Sequence, residues 1–237
     1  MKLPVALRQS VNSKLPANIW LWPIYIVLGL LILGVFAFVT FKPIKVLPRG
    51  ENAPGFVLQQ ANGQRLTEWD LLGVVVLYQF TYTGCGSQCE AAQRTLQQLE
   101  AELPSATADR LPVKIVSISF DPQHDTPDVL RAYATQLGAN PETWVWVTGE
   151  TAHVKQVVGG GFGVYFQPEG NQTFTFDQTI VLVDDEGLIR RRYRNNPPTV
   201  ENILADLQLL NAEAQAKNNG TSNLMYEAAH LFMCYPE

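Results

Sequence analysis

Between Val74 and Leu103 the chain passes from one structural period to another across a pair of cysteines. Val74-Val75-Val76-Leu77-Tyr78-Gln79-Phe80 is apolar and β-branched, the composition of a strand buried on both faces. Thr81-Tyr82-Thr83-Gly84-Cys85-Gly86-Ser87-Gln88-Cys89 follows, a loop of small residues in which the backbone can turn sharply. Ala92, Leu96, Leu99 and Leu103 then recur three or four apart, as one face of a helix, with Pro104 closing the pattern. Two thiols therefore lie where a buried strand hands over to a helix N-terminus. The free N–H groups and the helix dipole there favour thiolate over thiol.

The spacing narrows the chemistry. Residues four apart at the start of a helix have Cβ atoms roughly 5–6 Å apart on one face. Both sulfurs of Cys85 and Cys89 can address one soft metal ion, or close into a disulfide if the first turn relaxes. Dithiols of thioredoxin type use C-x-x-C instead. The alternative is an inert structural pair, for which a Gly-rich loop at a strand-to-helix junction is an unusual setting.

The remaining pattern is α/β. Phe56–Gln60 and Arg65–Leu66 flank Ala61-Asn62-Gly63-Gln64, a hairpin with Asn-Gly at its turn. Val113–Phe120 is a second buried strand. Pro127–Leu137 reads as a helix entered through Asp125 and Pro127 and stopped by Gly138. Trp144–Thr148 reads as a short strand, Thr151–Val158 as a short helix, and Thr179–Asp184 with Leu188–Tyr193 as a strand pair turning at Asp185-Glu186-Gly187. Gly159-Gly160-Gly161-Phe162-Gly163 follows a helix and lacks a Lys-Ser/Thr pair, so it reads as a helix exit and flexible loop, not a phosphate loop. Thr199–Ala214 is a terminal helix. The expected architecture is an α/β thioredoxin-like sandwich.

Ahead of it, Ile19–Phe41 carries no charged residue, has Trp20 and Trp22 at its front edge and Lys42 just after. That length spans a hydrocarbon core of about 30 Å, and the tryptophans suit an interface belt. It is too long for a signal peptide and lacks a small-x-small cleavage site. The expected organisation is a short tail over 1–18, a single transmembrane helix over 19–41, a linker over 42–51, the sandwich over 52–214 and a tail with a short helix over 215–237. Lys2, Arg8 and Lys14 before the span balance Lys42, Lys45 and Arg49 after it, so charge leaves the orientation open.

The net charge of −5 offers no basic stripe for phosphates, which excludes a nucleic-acid partner. Arg190-Arg191-Arg192 with Arg194 reads as the solvated face of an edge-like strand. Three cysteines in the whole chain exclude a zinc ribbon or finger. In the tail, Met225, His230, Met233 and Cys234 admit two readings: a helix docked on the domain, or a mobile segment carrying ligands for a soft metal ion.

Phe80-Thr81-Tyr82-Thr83-Gly84-Cys85-x3-Cys89 and Asp121-Pro122-Gln123-His124-Asp125-Thr126-Pro127, with the strand pair after Thr179, resemble the Sco/SenC family of copper chaperones over roughly Asn52–Leu210. The resemblance implies that Cys85 and Cys89 supply two copper-binding sulfurs and cycle between dithiol, copper-bound (Cu+ or Cu2+) and disulfide states. It implies a partner in the copper-bearing subunit of cytochrome c oxidase, or another copper or thiol protein. It also implies a single pass through the inner (cytoplasmic) membrane with the domain facing the periplasm, in keeping with cysteine use on an oxidising side. The family's third ligand is a histidine just before the closing hairpin. Aligning Phe176-Asp177-Gln178-Thr179-Ile180 there puts Gln178 in its place, and glutamine is a poor ligand for copper(I). His124 is the candidate substitute; His153 and His230 are less well placed. The competing activity is a thiol-disulfide oxidoreductase, or a thiol peroxidase, with little or no copper binding. The proline of the peroxiredoxin Pro-x3-Thr-x2-Cys pattern is absent before Cys85.

Overall fold

The computed structural model describes residues 21–41, 45–106, 111–170, 172–194, 197–217 and 220–232. The chain divides into two units, Met1–Pro43 and Ile44–Glu237. In the first, α1 (Trp22–Phe41) is a 20-residue helix without an acidic or basic residue at either end. Ile24, Leu28, Leu31 and Phe36 are each more than half exposed, so no face of this helix is reserved for a protein core. The continuous run of described side chains in α1 is 22–37. Among the described residues no helix is long and apolar enough to cross a membrane. The expected tail over 1–18, and Trp20, lie outside the described residues.

The second unit is built on a seven-stranded sheet in the order β2-β1-β5-β4-β3-β8-β9. Its strands are β1 (Val57–Gln60), β2 (Arg65–Thr67), β3 (Val75–Thr81), β4 (Val113–Ser119), β5 (Trp144–Thr148), β8 (Thr179–Val183) and β9 (Ile189–Arg194). β3, β4 and β5 run parallel, and the neighbouring pairs are antiparallel. β3 is an interior strand and all seven of its residues are buried, in keeping with its mainly apolar composition. Strand alternation sends Val75 and Leu77 to one face, against Leu96 and Leu99 of α2 (Glu90–Ala106), Leu130 of α3 (Pro127–Leu137) and Ile203 and Leu207 of α5 (Val200–Lys217). Val76, Tyr78 and Phe80 point to the other face, with Val154 of α4 (Thr151–Lys155) and Phe162. This is the expected thioredoxin-like sandwich.

Register brings three segments to one end of the sheet. The parallel pairing runs from Val75↔Val113 to Thr81↔Ser119, so the cysteine loop and the 120–126 loop leave from the same edge. β8 is antiparallel to β3, with Gln79 opposite Ile180, and therefore enters the sheet there through Gln178 and Thr179.

Several local expectations are corrected. Gly159–Gly161 belong to a π-helical turn, Gln156–Gly161, continuing from α4, and not to a loop. Thr126, not Asp125, caps α3, its Oγ1 accepting from the Val129 N–H. The linker is not free along its length: Val46 and Leu47 are buried, and the Gly50 N–H donates to the Ile189 carbonyl at 2.9 Å. A two-stranded ribbon, β6 (Phe166–Gly170) with β7 (Thr173–Phe176), has no counterpart in the sequence reading. β9 is the edge strand expected, yet Arg190 is buried between Asp184 at 2.9 Å and Glu213 at 2.7 Å, not solvated. In the tail, α6 spans Gly220–Phe232. His230 docks on Glu213 at 3.1 Å and Met225 is exposed, while Met233 and Cys234 lie outside the described residues.

Candidate dithiol site

The loop begins where β3 stops. Thr83–Gln88 winds as tight turns interrupted at Gly86, whose φ of 58° and ψ of −137° suit a residue without Cβ. That break replaces the expected first helical turn: α2 starts at Glu90, so both cysteines precede it. The Cys89 carbonyl accepts from the Gln93 N–H at 2.9 Å and starts the helix. Cys85 and Cys89 are joined in a disulfide, their Cα atoms 5.7 Å apart. Both are largely buried, Cys85 at 6% exposure and Cys89 at 2%.

Buried polar groups hold the loop in place. Asp125, 1% exposed, accepts from the Thr83 N–H at 2.9 Å, the Thr83 hydroxyl at 2.5 Å and the Ser119 hydroxyl at 2.5 Å. A carboxylate taken out of water requires such donors, so loop and carboxylate fix each other. Thr81 Oγ1 lies 3.2 Å from Cys89 Sγ, and because a disulfide sulfur carries no hydrogen, the hydroxyl is the donor. Gln178 Nε2 donates to the Gln88 carbonyl at 2.6 Å, which places the glutamine directly on the cysteine loop. Cys89, Phe176, Gln178 and Tyr193 line a cleft of about 20 Å³, room for one water-sized occupant.

Aromatic packing closes the other side. Tyr82 and Phe120 lie with ring centroids 5.4 Å apart, and the β6–β7 ribbon lays Phe174 at 4.9 Å from Tyr82 and Phe166 at 4.9 Å from Phe120. Cys85 and Cys89 share this buried cluster. The sulfurs thus sit among apolar rings, with Thr81 as a hydrogen-bonding neighbour of one of them.

The histidines are distributed elsewhere. His124 Nδ1 is 2.9 Å from both carboxylate oxygens of Asp121, and its side chain is 44% exposed. His153 Nε2 accepts from the Val57 N–H at 3.3 Å, on β1, and His230 binds Glu213. Among the described residues no group of three or more His, Cys, Asp and Glu side chains is gathered to hold a metal ion, so the structure does not bring His124 to the two cysteines. Sequence reasoning singled out Cys85, Cys89 and Gln178. It did not find Thr81, Asp125 or Ser119 as parts of the site; the strand-end positions of Thr81 and Ser119 in register were the available signal.

Comparison with known proteins places the chain in a family. The SCO1 protein homolog of Bacillus subtilis is 25% identical over 165 residues, covering 68% of this chain and 83% of that protein. The structure of Bradyrhizobium japonicum ScoI with copper bound superposes with a TM-score of 0.57 at 26% identity, covering 68% of this chain and 99% of that one. The BsSco structure, described as containing a disulfide switch and as a member of the Sco family of cytochrome c oxidase assembly proteins, superposes with a TM-score of 0.61 at 22% identity, covering 70% and 98%. The family model SCO1/SenC matches residues 47–211, from the first buried residues of the folded unit to α5, and the chain belongs to that family.

Proposed function

We propose that this chain is a membrane-anchored copper chaperone and thiol-disulfide protein that assists assembly of the copper centre of cytochrome c oxidase. The observation that carries the proposal is the Cys85–Cys89 pair, its two sulfurs within bonding reach of each other at a strand-to-helix junction. Reduction of that pair leaves two soft donors converging on one point, the donor set that copper(I) prefers. Copper is the cargo here, and a site of two sulfurs without a full protein cage suits a metal that has to be passed on. The copper-bound relative from Bradyrhizobium japonicum supports the choice of metal. The oxidase assignment draws on the family of assembly proteins to which BsSco belongs.

Gln178 favours a second component of the activity. It stands on the cysteine loop where the family resemblance expects an imidazole, and its amide nitrogen is engaged by the Gln88 carbonyl. With no third soft ligand, copper is held less tightly and the disulfide form gains weight, so reduction of a partner's cysteines becomes part of the role. In this reading the partner is the copper-bearing subunit of the oxidase or a protein of the same copper and thiol chemistry.

The anchor is α1. Its large apolar side chains from Trp22 to Leu33, and Phe36, are more than half exposed, an arrangement that is stable in hydrocarbon and not in water. We place it in the inner membrane as a single pass, with the dithiol domain on the outer, oxidising side, where a reversible disulfide has a use.

Deleting the gene from its host, and restoring it as the parent or as the Cys85→Ser, Cys89→Ser double variant, tests the role. The parent restores the absorption of the oxidase copper centre in isolated membranes and the double variant does not. Equal restoration by both chains contradicts the proposal.

A further inference from the structure

Resting on the thiol-exchange part of that reading, we propose that Thr81 sets the direction of exchange: an incoming thiolate attacks Cys85, and Cys89 departs as a thiolate received by the Thr81 hydroxyl. The two sulfurs are not equivalent in this structure. Cys89, at 2% exposure, has the Thr81 hydroxyl 3.2 Å away, and Thr81 is itself fully buried at the end of β3. Cys85 is the more exposed residue of the two, at 6%. Attack along the S–S axis on Cys85 is the direction that leaves the developing charge on the sulfur already facing the hydroxyl.

The step balances as a simple displacement. The electron pair of the attacking thiolate forms a bond to Cys85 Sγ, the Cys85–Cys89 bond breaks, and its electron pair leaves on Cys89 Sγ. The products are a mixed disulfide at Cys85 and one thiolate at Cys89; the reductant is the incoming thiol, and no other reactant is needed. A hydroxyl already pointed at the departing sulfur gains strength as charge develops there, in a largely buried setting. Thr81 is placed to do this by the sheet: register with Ser119 fixes the last position of β3, and its carbonyl accepts from the Phe120 N–H at 3.1 Å.

The test uses the full chain in detergent with glutathione as the probe, rapid alkylation to stop the reaction, and peptide mapping of the adduct. The parent carries glutathione on Cys85 and the alkyl group on Cys89. Thr81→Val, which keeps the shape and removes the hydroxyl, slows opening of the disulfide roughly tenfold, the effect of one hydrogen bond to a developing charge. Thr81→Ser restores the rate, which separates loss of the hydroxyl from loss of packing. Glutathione found on Cys89, or a Thr81→Val rate within about twofold of the parent, overturns the assignment while thiol exchange itself stands. A parent disulfide that does not react with glutathione overturns both.

Discussion

Asp125 shows how much of this site depends on a residue that does no chemistry. Its carboxylate is buried and takes three donors, two from Thr83 at the entrance to the cysteine loop and one from Ser119 at the end of β4. Asp125→Ala leaves those donors without their acceptor in a part-buried site. We expect it to lower the unfolding free energy by about 2–4 kcal/mol, read from the urea midpoint, and to speed reaction of the Cys85–Cys89 disulfide with small thiols. A midpoint unchanged from the parent contradicts the role. The importance of the cysteine pair was legible in the sequence because loop composition and spacing are local properties. The role of Asp125 was not, since its partner Thr83 is distant in sequence and only strand register brings the two together. Gln178 was legible as a departure from the family, and its contact with the Gln88 carbonyl explains how a glutamine serves at that position.

At the scale of elements, β9 and the C-terminal helices are joined through one buried cation. Arg190 reaches Asp184 and Glu213, Glu213 also receives Arg49 at 3.0 Å, and Arg49 holds Glu227 of α6 at 2.9 Å. Burial pushes the Glu213 carboxyl up, but hydrogen bonds and charge from Arg190 and Arg49 outweigh it and hold the group below its ordinary value. Burial depresses His230, and the Arg49 and Arg190 charges act in the same direction against the opposing pull of Glu213. Both shifts favour the fold at neutral pH. The His230 contribution is complete above its ordinary value of 6.5 and is lost as pH falls through its lower folded value. The Glu213 contribution is complete above 4.5 and is lost as pH falls further. The urea midpoint should therefore decline in two stages on acidification, and His230→Gln should flatten the upper stage alone. A midpoint that rises below neutrality contradicts this assignment. Glu213→Ala, which removes one acceptor of a buried guanidinium, should cost about 3–5 kcal/mol. None of this was readable from the run of arginines: composition cannot tell which residue of an edge strand points inward, and the buried one is set by packing of α5 against the sheet.

For the molecule as a whole, the order of elements was readable because β3, β4 and β5 are rich in β-branched and aromatic residues while the helices carry a 3.6-residue period. The β6–β7 ribbon was not, because β6 is largely exposed and includes Pro168 and Gly170, and the Thr-Phe-Thr-Phe alternation of β7 is only four residues long. Yet that ribbon supplies the aromatic wall of the site, through Phe166 and Phe174. The fold thus gathers a dithiol, its anchoring carboxylate and a glutamine at one sheet end, and among the described residues it groups no histidine with the two cysteines as a ligand set. Titration of the reduced full chain with copper(I), against a chelator of known affinity, tests whether that arrangement is a copper site. One copper(I) per chain, lost when either Cys85 or Cys89 is replaced by serine while Cys234 and the three histidines remain, is the expected result. An unchanged stoichiometry in the Cys85→Ser, Cys89→Ser chain contradicts it.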